Sequence, residues 1–171
     1  MITEYFENPP RDLRTLIVGA KVYNTRDDRR KLYRKAIGVD QFPGEGVDHV
    51  LDLERKSLDD LGAFDHVECI SVLEHSRRPW LVAQNIQSAM KKGATLVISV
   101  PFVWRIHAYP DDYWRMTPAA VRSIFNEIKW RALMFKSGVE LRTEEEKVKA
   151  RNINGAVFFE RTEVVGVGVR T

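Results

Sequence analysis

Acidic and histidine side chains follow several apolar segments of this sequence, at the points where strands would end. Asp40 and Asp52 close two neighbouring segments of this kind, and Glu74 with His75 follows the next one. In an open α/β sheet, ligands bind beyond the carboxyl ends of the strands. These side chains are therefore the first candidates for a binding site.

Asp40 is a candidate for holding a ribose. The two oxygens of a carboxylate can accept hydrogen bonds from both hydroxyls of a 2′,3′-diol, and the charge strengthens the pairing. Asp52 at the next strand end supports this interpretation. The alternative is that Asp40 only ends its strand or opens the turn at 41–43.

Two histidines and one aspartate are our candidates for catalysis. His75 follows the fourth predicted strand, and His107 and Asp112 lie in the loop after the fifth, where Asp111 is a further choice. A positioned imidazole or carboxylate can remove a proton from a reacting group. His75 fits a helix-capping or structural role equally well.

The loop at 102–116 is rich in aromatic and polar residues. Tyr109, Tyr113, Trp114 and Arg115 are assigned to substrate binding, because aromatic rings there could stack on or enclose a substrate. The alternative is that Tyr113 and Trp114 simply pack this loop on the sheet.

The glycine pattern discriminates between ligands that carry a ribose. A dinucleotide site requires Gly-x-Gly-x-x-Gly so that the backbone can approach the pyrophosphate. Here Gly19 is followed by AKVYN without a second glycine, and no Gly-x-x-x-x-Gly-Lys loop is present. A pyrophosphate is therefore poorly accommodated. S-adenosylmethionine (SAM) has an adenosine but no phosphate, so a site for SAM tolerates the missing glycines better.

The elements that position these residues alternate between strands and helices. Continuous apolar strands in such a series indicate a parallel sheet covered on both faces, and the last two strands fit an antiparallel hairpin at one edge. The fold class is therefore α/β. Strands are predicted at 13–19, 36–39, 47–53, 64–73, 95–101, 129–135 and 156–165, and helical segments at 25–34, 57–61, 78–90 (closed by the Lys-Gly at 92–93) and 117–125.

Composition predicts one domain. The chain has 171 residues, 44% hydrophobic and 30% charged, which is typical of a globular protein, with 1–12 as an N-terminal extension. Its one cysteine, Cys69, excludes an internal disulfide framework. The sequence shows no membrane-spanning run and no secretion signal, so we expect a cytoplasmic protein without membrane contact.

Charge and histidine spacing constrain the partners. The net charge of +3 permits nucleic acid as a partner without indicating it, and the basic run at 26–35 fits a solvated helix face. A homo-oligomer is compatible with the sequence. The four histidines show no paired metal-ligand spacing, so no metal site is predicted.

The order of these motifs resembles that of the small class I SAM-dependent methyltransferases. The most specific parts are the SVLEH end of the fourth strand and the stretch YPDDYWRMTP. The resemblance implies a Rossmann-like, doubly wound sheet of seven strands, mostly parallel, with SAM as cofactor. The motifs that carry it, between residues 13 and 125, are LIVGA, IGVD, VLDL, FDHVECISVLEH, MKKG, TLVISVPF and HAYPDDYWRMTPAAVRSIF.

The same resemblance implies places for the parts of the cofactor. Gly19 and Ala20 would flank the methionine moiety, and Asp40 would hold the ribose. Asp52 and Leu53 would border the adenine, and Ser71 and Val72 would lie near the sulfonium.

The leading hypothesis is methyl transfer from SAM to an unidentified acceptor. The family commonly has a G-x-G loop after the first strand, where this chain has GAKVYN. The second hypothesis is therefore a non-catalytic SAM-binding, nucleotide-binding or interaction module that kept the fold. A third hypothesis is a nicotinamide-dependent oxidoreductase. Such an enzyme would also use Asp40, but this chain lacks the glycines that its dinucleotide site requires.

The seven strands and the helices use nearly all of the chain, which leaves no room for a separate recognition domain. We expect acceptor specificity to come from the loop at 102–116, the charged segment at 142–151, the N-terminal dozen residues or a partner chain.

Overall fold

A computed structural model describes residues 8–23, 28–107, 110–137 and 162–171. In this part of the chain, seven strands form one sheet. The strands are β1 (Arg14–Val18), β2 (Lys35–Asp40), β3 (His49–Val50), β4 (Phe64–Ile70), β5 (Met90–Val103), β6 (Ile128–Ser137) and β7 (Thr162–Arg170). The helices are α1 (Pro79–Ala89), α2 (Pro118–Ile124) and three 3₁₀ segments, Arg29–Leu32, Asp59–Leu61 and Leu73–His75.

The strand order across the sheet is β3-β2-β1-β4-β5-β7-β6. The first five strands of that order run parallel, and β7 is antiparallel to both β5 and β6. The order reverses between β1 and β4, so the segments that connect them to their next strands run to opposite sides, and ligands in such folds bind in the crevice at this point. The predicted α/β fold with a C-terminal antiparallel hairpin is confirmed.

The main core lies on one face of the sheet. Leu16 and Val18 of β1 alternate with Ile17, so they point to the same face, and Val82 and Ile86 of α1 belong to the same buried cluster. Residues of α2 belong to the same cluster. A smaller cluster on the other face contains Ile17, beside the 3₁₀ segment Arg29–Leu32. Helical segments therefore cover both faces, with a 3₁₀ helix on the second.

Local capping confirms the predicted start of α2. Thr117 has extended backbone angles, and its side chain accepts a hydrogen bond from the Ala120 amide at 3.1 Å. Pro118 follows at the first helical position, where no amide hydrogen is required.

Three predicted elements are clearly shorter than expected. The strand predicted at 64–73 ends at Ile70, because the chain turns at Ser71, whose φ is 54°. The strand predicted at 47–53 is reduced to His49–Val50, because the carboxylate of Asp48 accepts from the Gly38 amide and that of Asp52 from the Glu54 amide, which turns the chain. Of the helix predicted at 25–34, the structure shows only a 3₁₀ segment capped by Asp28, and residues 24–27 lie outside the described part.

Two strand boundaries were also predicted wrongly. β5 begins at Met90, directly after α1, where it pairs with Phe64, instead of after the Lys-Gly at 92–93. β7 runs to Arg170, past the predicted end at 165, while 156–161 lie outside the described residues.

A glycine inside β7 explains why the end of this strand was predicted too early. Glycine weakens a strand signal, but a Cβ on Gly166 would lie 2.6 Å from a Trp130 ring atom. Close packing between β6 and β7 therefore requires glycine inside this strand.

Candidate functional site

A cavity of about 270 Å³ lies at the carboxyl ends of β1, β2 and β4. The segment after β3, the first turn of α1 and the loop after β5 complete its walls. Of the predicted site residues, those that line it are Gly19, Asp40, Asp52, Leu53, Ser71, Val72, His75 and His107.

The other predicted residues lie elsewhere. Ala20 packs in the small cluster with Ile17 on the opposite face of the sheet. Tyr109 lies outside the described residues. Asp112, Tyr113, Trp114 and Arg115 do not line the cavity but surround His75 and His107 or anchor their loop.

Gly19 has a backbone conformation and a position that exclude a side chain. Its φ of +70° lies in the left-handed region, and a Cβ there would be 2.4 Å from Cγ2 of Val72. Its amide donates to the carbonyl of Val39 at 2.9 Å. The close approach of the backbone segments that follow β1 and β4 therefore depends on this single glycine.

Asp40 is held at the cavity by the backbone. Its Oδ2 accepts from the Lys21 amide at 3.1 Å, and its Oδ1 accepts from the Phe42 amide at 3.0 Å. The turn-opening role considered for Asp40 is thus real. Each carboxylate oxygen has a second lone pair, so the carboxylate can still accept from a ligand while the two amides fix its orientation.

Ser71 adopts the left-handed conformation, with φ of 54°, directly after β4. For a residue with a Cβ this conformation costs energy, and such residues concentrate at functional sites. Its amide still donates to the carbonyl of Ser99 at 2.8 Å. The sharp turn places Val72 against Gly19 and directs the chain into the 3₁₀ segment Leu73–His75.

Glu54 is a cavity residue that the sequence analysis missed. Its carboxylate accepts from the Ser76 hydroxyl at 2.8 Å, the Arg77 amide at 2.7 Å and the Arg78 guanidinium at 3.1 Å. Burial opposes its charge, yet the hydrogen bonds from Ser76 and Arg78 lower the pKa of Glu54. Glu54 therefore stays ionised and ties the segment after β3 to the start of α1.

Further residues line the cavity without having been predicted. No motif distinguishes the apolar ones from core residues, whereas Gln41 could have been found as the neighbour of Asp40. They include Val18, Tyr23, Val39, Gln41, Leu51, Ser76, Val82 and Pro110.

The fold brings His75 and His107 together. Their ring centroids are 4.9 Å apart and the rings are nearly perpendicular, at 83°. Nδ1 of His75 lies 2.5 Å from the carbonyl oxygen of Asp111, and Nδ1 of His107 lies 2.9 Å from Oδ2 of Asp112. Both rings therefore have an oxygen acceptor at Nδ1, which fixes their orientation at the cavity wall.

Asp112 is held by Arg115. The guanidinium donates to its two oxygens at 2.5 Å and 2.8 Å, and hydrogen bonding from Arg115 lowers the pKa of Asp112 to about 2. The carboxylate also accepts from the His107 amide at 2.8 Å. A carboxylate paired so strongly is a poor base, so the geometry favours a positioning role for Asp112 beneath His107.

Tyr113 and Trp114 tie the loop after β5 to the 3₁₀ segment. The Tyr113 hydroxyl donates to Asp111 at 2.6 Å and accepts from Arg77 at 2.9 Å. The Trp114 indole donates to the Ser76 carbonyl at 2.8 Å. These contacts match the packing role that the sequence analysis weighed against substrate binding.

Solved structures share this architecture across nearly the whole chain. A SAM-dependent methyltransferase from Archaeoglobus fulgidus is 18% identical, with a TM-score of 0.67, 99% of this chain covered and 91% of that one. The N-terminal domain of EvdMO1 with S-adenosylhomocysteine (SAH) bound is 17% identical, with a TM-score of 0.61 and coverages of 99% and 79%.

The N-methyltransferase NodS from Bradyrhizobium japonicum, in complex with SAH, is 11% identical, with a TM-score of 0.59 and coverages of 93% and 79%. The chain has the fold of the SAM-dependent methyltransferases. This confirms the fold that the sequence motifs implied. No protein-family model matches the chain, and no curated protein matches its sequence.

Within this methyltransferase fold, none of the helices in the described ranges is long and apolar enough to cross a membrane.

Proposed function

We propose that this protein binds SAM in the cavity and transfers its methyl group to an acceptor at the His75 and His107 wall. The observation that carries the proposal is the position of the cavity: it lies at the carboxyl ends of β1, β2 and β4, in a fold whose solved examples include SAH complexes. SAM would supply an electrophilic methyl group on a sulfonium, whose departure requires no proton.

The residues at the cavity fit the parts of this cofactor. Asp40 offers oriented carboxylate oxygens to the ribose hydroxyls, as a charged acceptor for two donors. The apolar side chains of Leu51, Leu53 and Val82 offer a surface for the adenine ring. Gly19 and Val72 would lie along the methionine moiety, at the close contact between the β1 and β4 ends.

The chemistry assigned to the protein is alignment and, where the acceptor must lose a proton, base catalysis. Fixed alignment of two reacting groups lowers a barrier by several kcal/mol. His75 and His107 are the candidate bases, since each has an oxygen acceptor at Nδ1 and carries its lone pair on Nε2. Asp112 and Arg115 position His107, and the acceptor side includes the loop after β5.

Calorimetric titration with SAM and SAH tests the binding step. We expect the wild type to bind both ligands and Asp40→Ala to lose at least 10-fold in affinity, because a charge-assisted hydrogen bond contributes about 1.5 to 3 kcal/mol. Asp60→Asn, in the 3₁₀ segment Asp59–Leu61 away from the cavity, is the matched control and should bind as the wild type. Absence of binding at millimolar ligand would refute the proposal.

Transfer is measured as SAH formation with a panel of oxygen and nitrogen nucleophiles. Where the acceptor must lose a proton, replacing the histidine that acts as the base, His75 or His107, should lower kcat by about 10²- to 10⁴-fold with little change in SAM affinity. Tight SAM binding without turnover on any acceptor would favour the alternative of a non-catalytic SAM-binding module.

A further inference from the structure

Glu74, His75 and His107 form a cluster at the wall of the cavity. We propose that this Glu74–His75–His107 cluster is a binding site for a divalent first-row transition-metal ion of the Zn²⁺ class. One nitrogen from each imidazole and one oxygen of the carboxylate all lie within 4.8 Å of one another. Two imidazoles and one carboxylate are a ligand set that zinc and similar ions use, with a further position left open.

The spacing of the rings fits two imidazoles on one ion. With a metal–nitrogen bond of about 2.05 Å, each ring centroid lies ~3.2 Å from the metal. Two such centroids are about 4.5 Å apart at a ligand angle of 90° and about 5.2 Å apart at the tetrahedral angle. The observed separation of 4.9 Å lies between these values.

The carboxylate lies close enough to complete the set. Oε1 of Glu74 is 3.8 Å from Nε2 of His75, too far for a hydrogen bond and near the separation of two ligands on one ion. Ligand atoms on one face of an ion are ~3 to 3.6 Å apart, so side-chain movements of about 1 Å would close the cluster on a metal.

The hydrogen-bonding environment of His75 directs Nε2 toward the site. Nδ1 faces the carbonyl oxygen of Asp111, which can only accept, so Nδ1 carries the hydrogen and Nε2 carries the lone pair. A backbone carbonyl behind the other nitrogen is the usual way in which a metal-binding histidine is oriented.

His107 is oriented in the same way by a carboxylate. Its Nδ1 lies 2.9 Å from Oδ2 of Asp112 and 3.4 Å from the carbonyl of Arg105, both acceptors, so its lone pair is also on Nε2. Arg115 fixes Asp112 in turn. A carboxylate–histidine–metal arrangement makes the imidazole a better ligand. Oxygen acceptors at Nδ1 thus orient both histidines in the same way, with the lone pair of each ring on Nε2.

Charge and burial point to a cation as the occupant. Glu74 is 1% exposed, whereas His75 and His107 are partly exposed at the cavity wall. Arg115 already interacts with the charge of Glu74, and a cation between the three side chains would add a second favourable charge beside this buried carboxylate. With an ion bound, the Nε2 lone pairs of His75 and His107 are used as ligands, so the ion and not a histidine would activate the acceptor. At its open position toward the cavity the ion would bind and acidify a hydroxyl group.

The existence of the site does not depend on SAM binding, but its role as a binding site for an acceptor hydroxyl rests on the proposed methyl transfer. Metal binding is therefore measured on the full chain without SAM. Protein dialysed against a chelator is titrated with Zn²⁺ by calorimetry and with Co²⁺ by visible absorption. We expect one ion per chain and the d–d bands of Co²⁺ with nitrogen and oxygen ligands.

Variants assign the ion to the cluster. His107→Ala should weaken Zn²⁺ affinity by on the order of 100-fold or more, and Asp112→Asn, which keeps all three ligands, by about 10- to 100-fold. His49→Ala removes an exposed histidine on β3 and is the matched control, with unchanged affinity expected. Circular dichroism melts confirm that each variant is folded, and Glu74→Gln, nearly isosteric, is the second ligand variant.

Several results would overturn the proposal. They are the absence of stoichiometric Zn²⁺ and Co²⁺ binding at millimolar ion, wild-type affinity in His107→Ala and Glu74→Gln, or an affinity that falls only in His49→Ala. SAM binding by the metal-free protein, measured separately, decides the proposed function and is not affected by these outcomes.

Discussion

A buried polar cluster on the second face of the sheet predicts a specific pH dependence of stability. His66 is fully buried, and its Nε2 lies 3.1 Å from the Tyr33 hydroxyl. That hydroxyl donates its hydrogen to Glu68, so Nε2 of His66 must be the donor to Tyr33. Nδ1 accepts no hydrogen bond from any residue in the described ranges. The folded structure therefore holds His66 in its neutral form.

The difference between the pKa of His66 in the unfolded and the folded protein sets how much stability is lost at low pH. Burial lowers the pKa of His66 from its ordinary 6.5 to about 4, against the opposing charge of Glu68. The unfolded chain takes up this proton near pH 6.5 and the folded protein only near pH 4, so the free energy of unfolding falls as the pH is lowered between these values. The full loss is about 3 kcal/mol, of which about 2 kcal/mol falls between pH 7.5 and 5.

Urea denaturation at intervals from pH 7.5 to pH 5 measures this loss. His66→Gln removes the titrating group and should flatten the pH dependence by about 2 kcal/mol, whatever its effect on stability at pH 7.5. His49→Gln, an exposed histidine, is the control and should leave the dependence unchanged. Ion-paired carboxylates such as Asp48 have lowered pKa values and stay ionised in this range. Identical pH profiles for wild type and His66→Gln would refute the reasoning.

Three further substitutions or reactions test the packing. Gly166→Val would place a Cβ 2.6 Å from the Trp130 ring and should lower the free energy of unfolding, measured by urea denaturation, by about 1 to 3 kcal/mol. A loss below about 0.5 kcal/mol would argue against the close packing. Glu68→Gln leaves the Arg29 guanidinium without its carboxylate and should lower the free energy of unfolding by about 2 to 4 kcal/mol, because Glu68 is buried while the Arg29 side chain is 29% exposed. A loss below about 1 kcal/mol would contradict this expectation. Burial raises the pKa of the Cys69 thiol, so a thiol reagent should modify it only after unfolding, and rapid modification of the folded protein would contradict its position.

The sheet could be predicted from the sequence because its strands are continuous apolar runs. Leu16 and Val67 lie in runs that only a two-sided sheet can bury, and Thr117-Pro118 is a helix start that depends on local chemistry alone. The boundaries that failed depend on distant contacts. Gly166 is acceptable inside β7 only because Trp130 packs against it, and no local signal shows that contact.

The site was predictable where it depends on strand ends and unpredictable where it depends on contacts between loops. Asp40 is the last residue of β2 and Ser71 directly follows β4, and the sequence order alone places them at one edge of the sheet. His75 and His107 are far apart in the sequence, so their ring contact and the carboxylate of Asp112 behind His107 emerge only from the folded loop after β5. Glu54 was missed for the same reason.

A crystal structure of the protein grown with SAH shows whether the cavity holds the cofactor and in which orientation. We expect SAH in the cavity, with its ribose hydroxyls within hydrogen-bond distance of Asp40 and its sulfur directed toward His75 and His107. SAH bound at another surface, or in the cavity with the ribose turned away from Asp40, would contradict it.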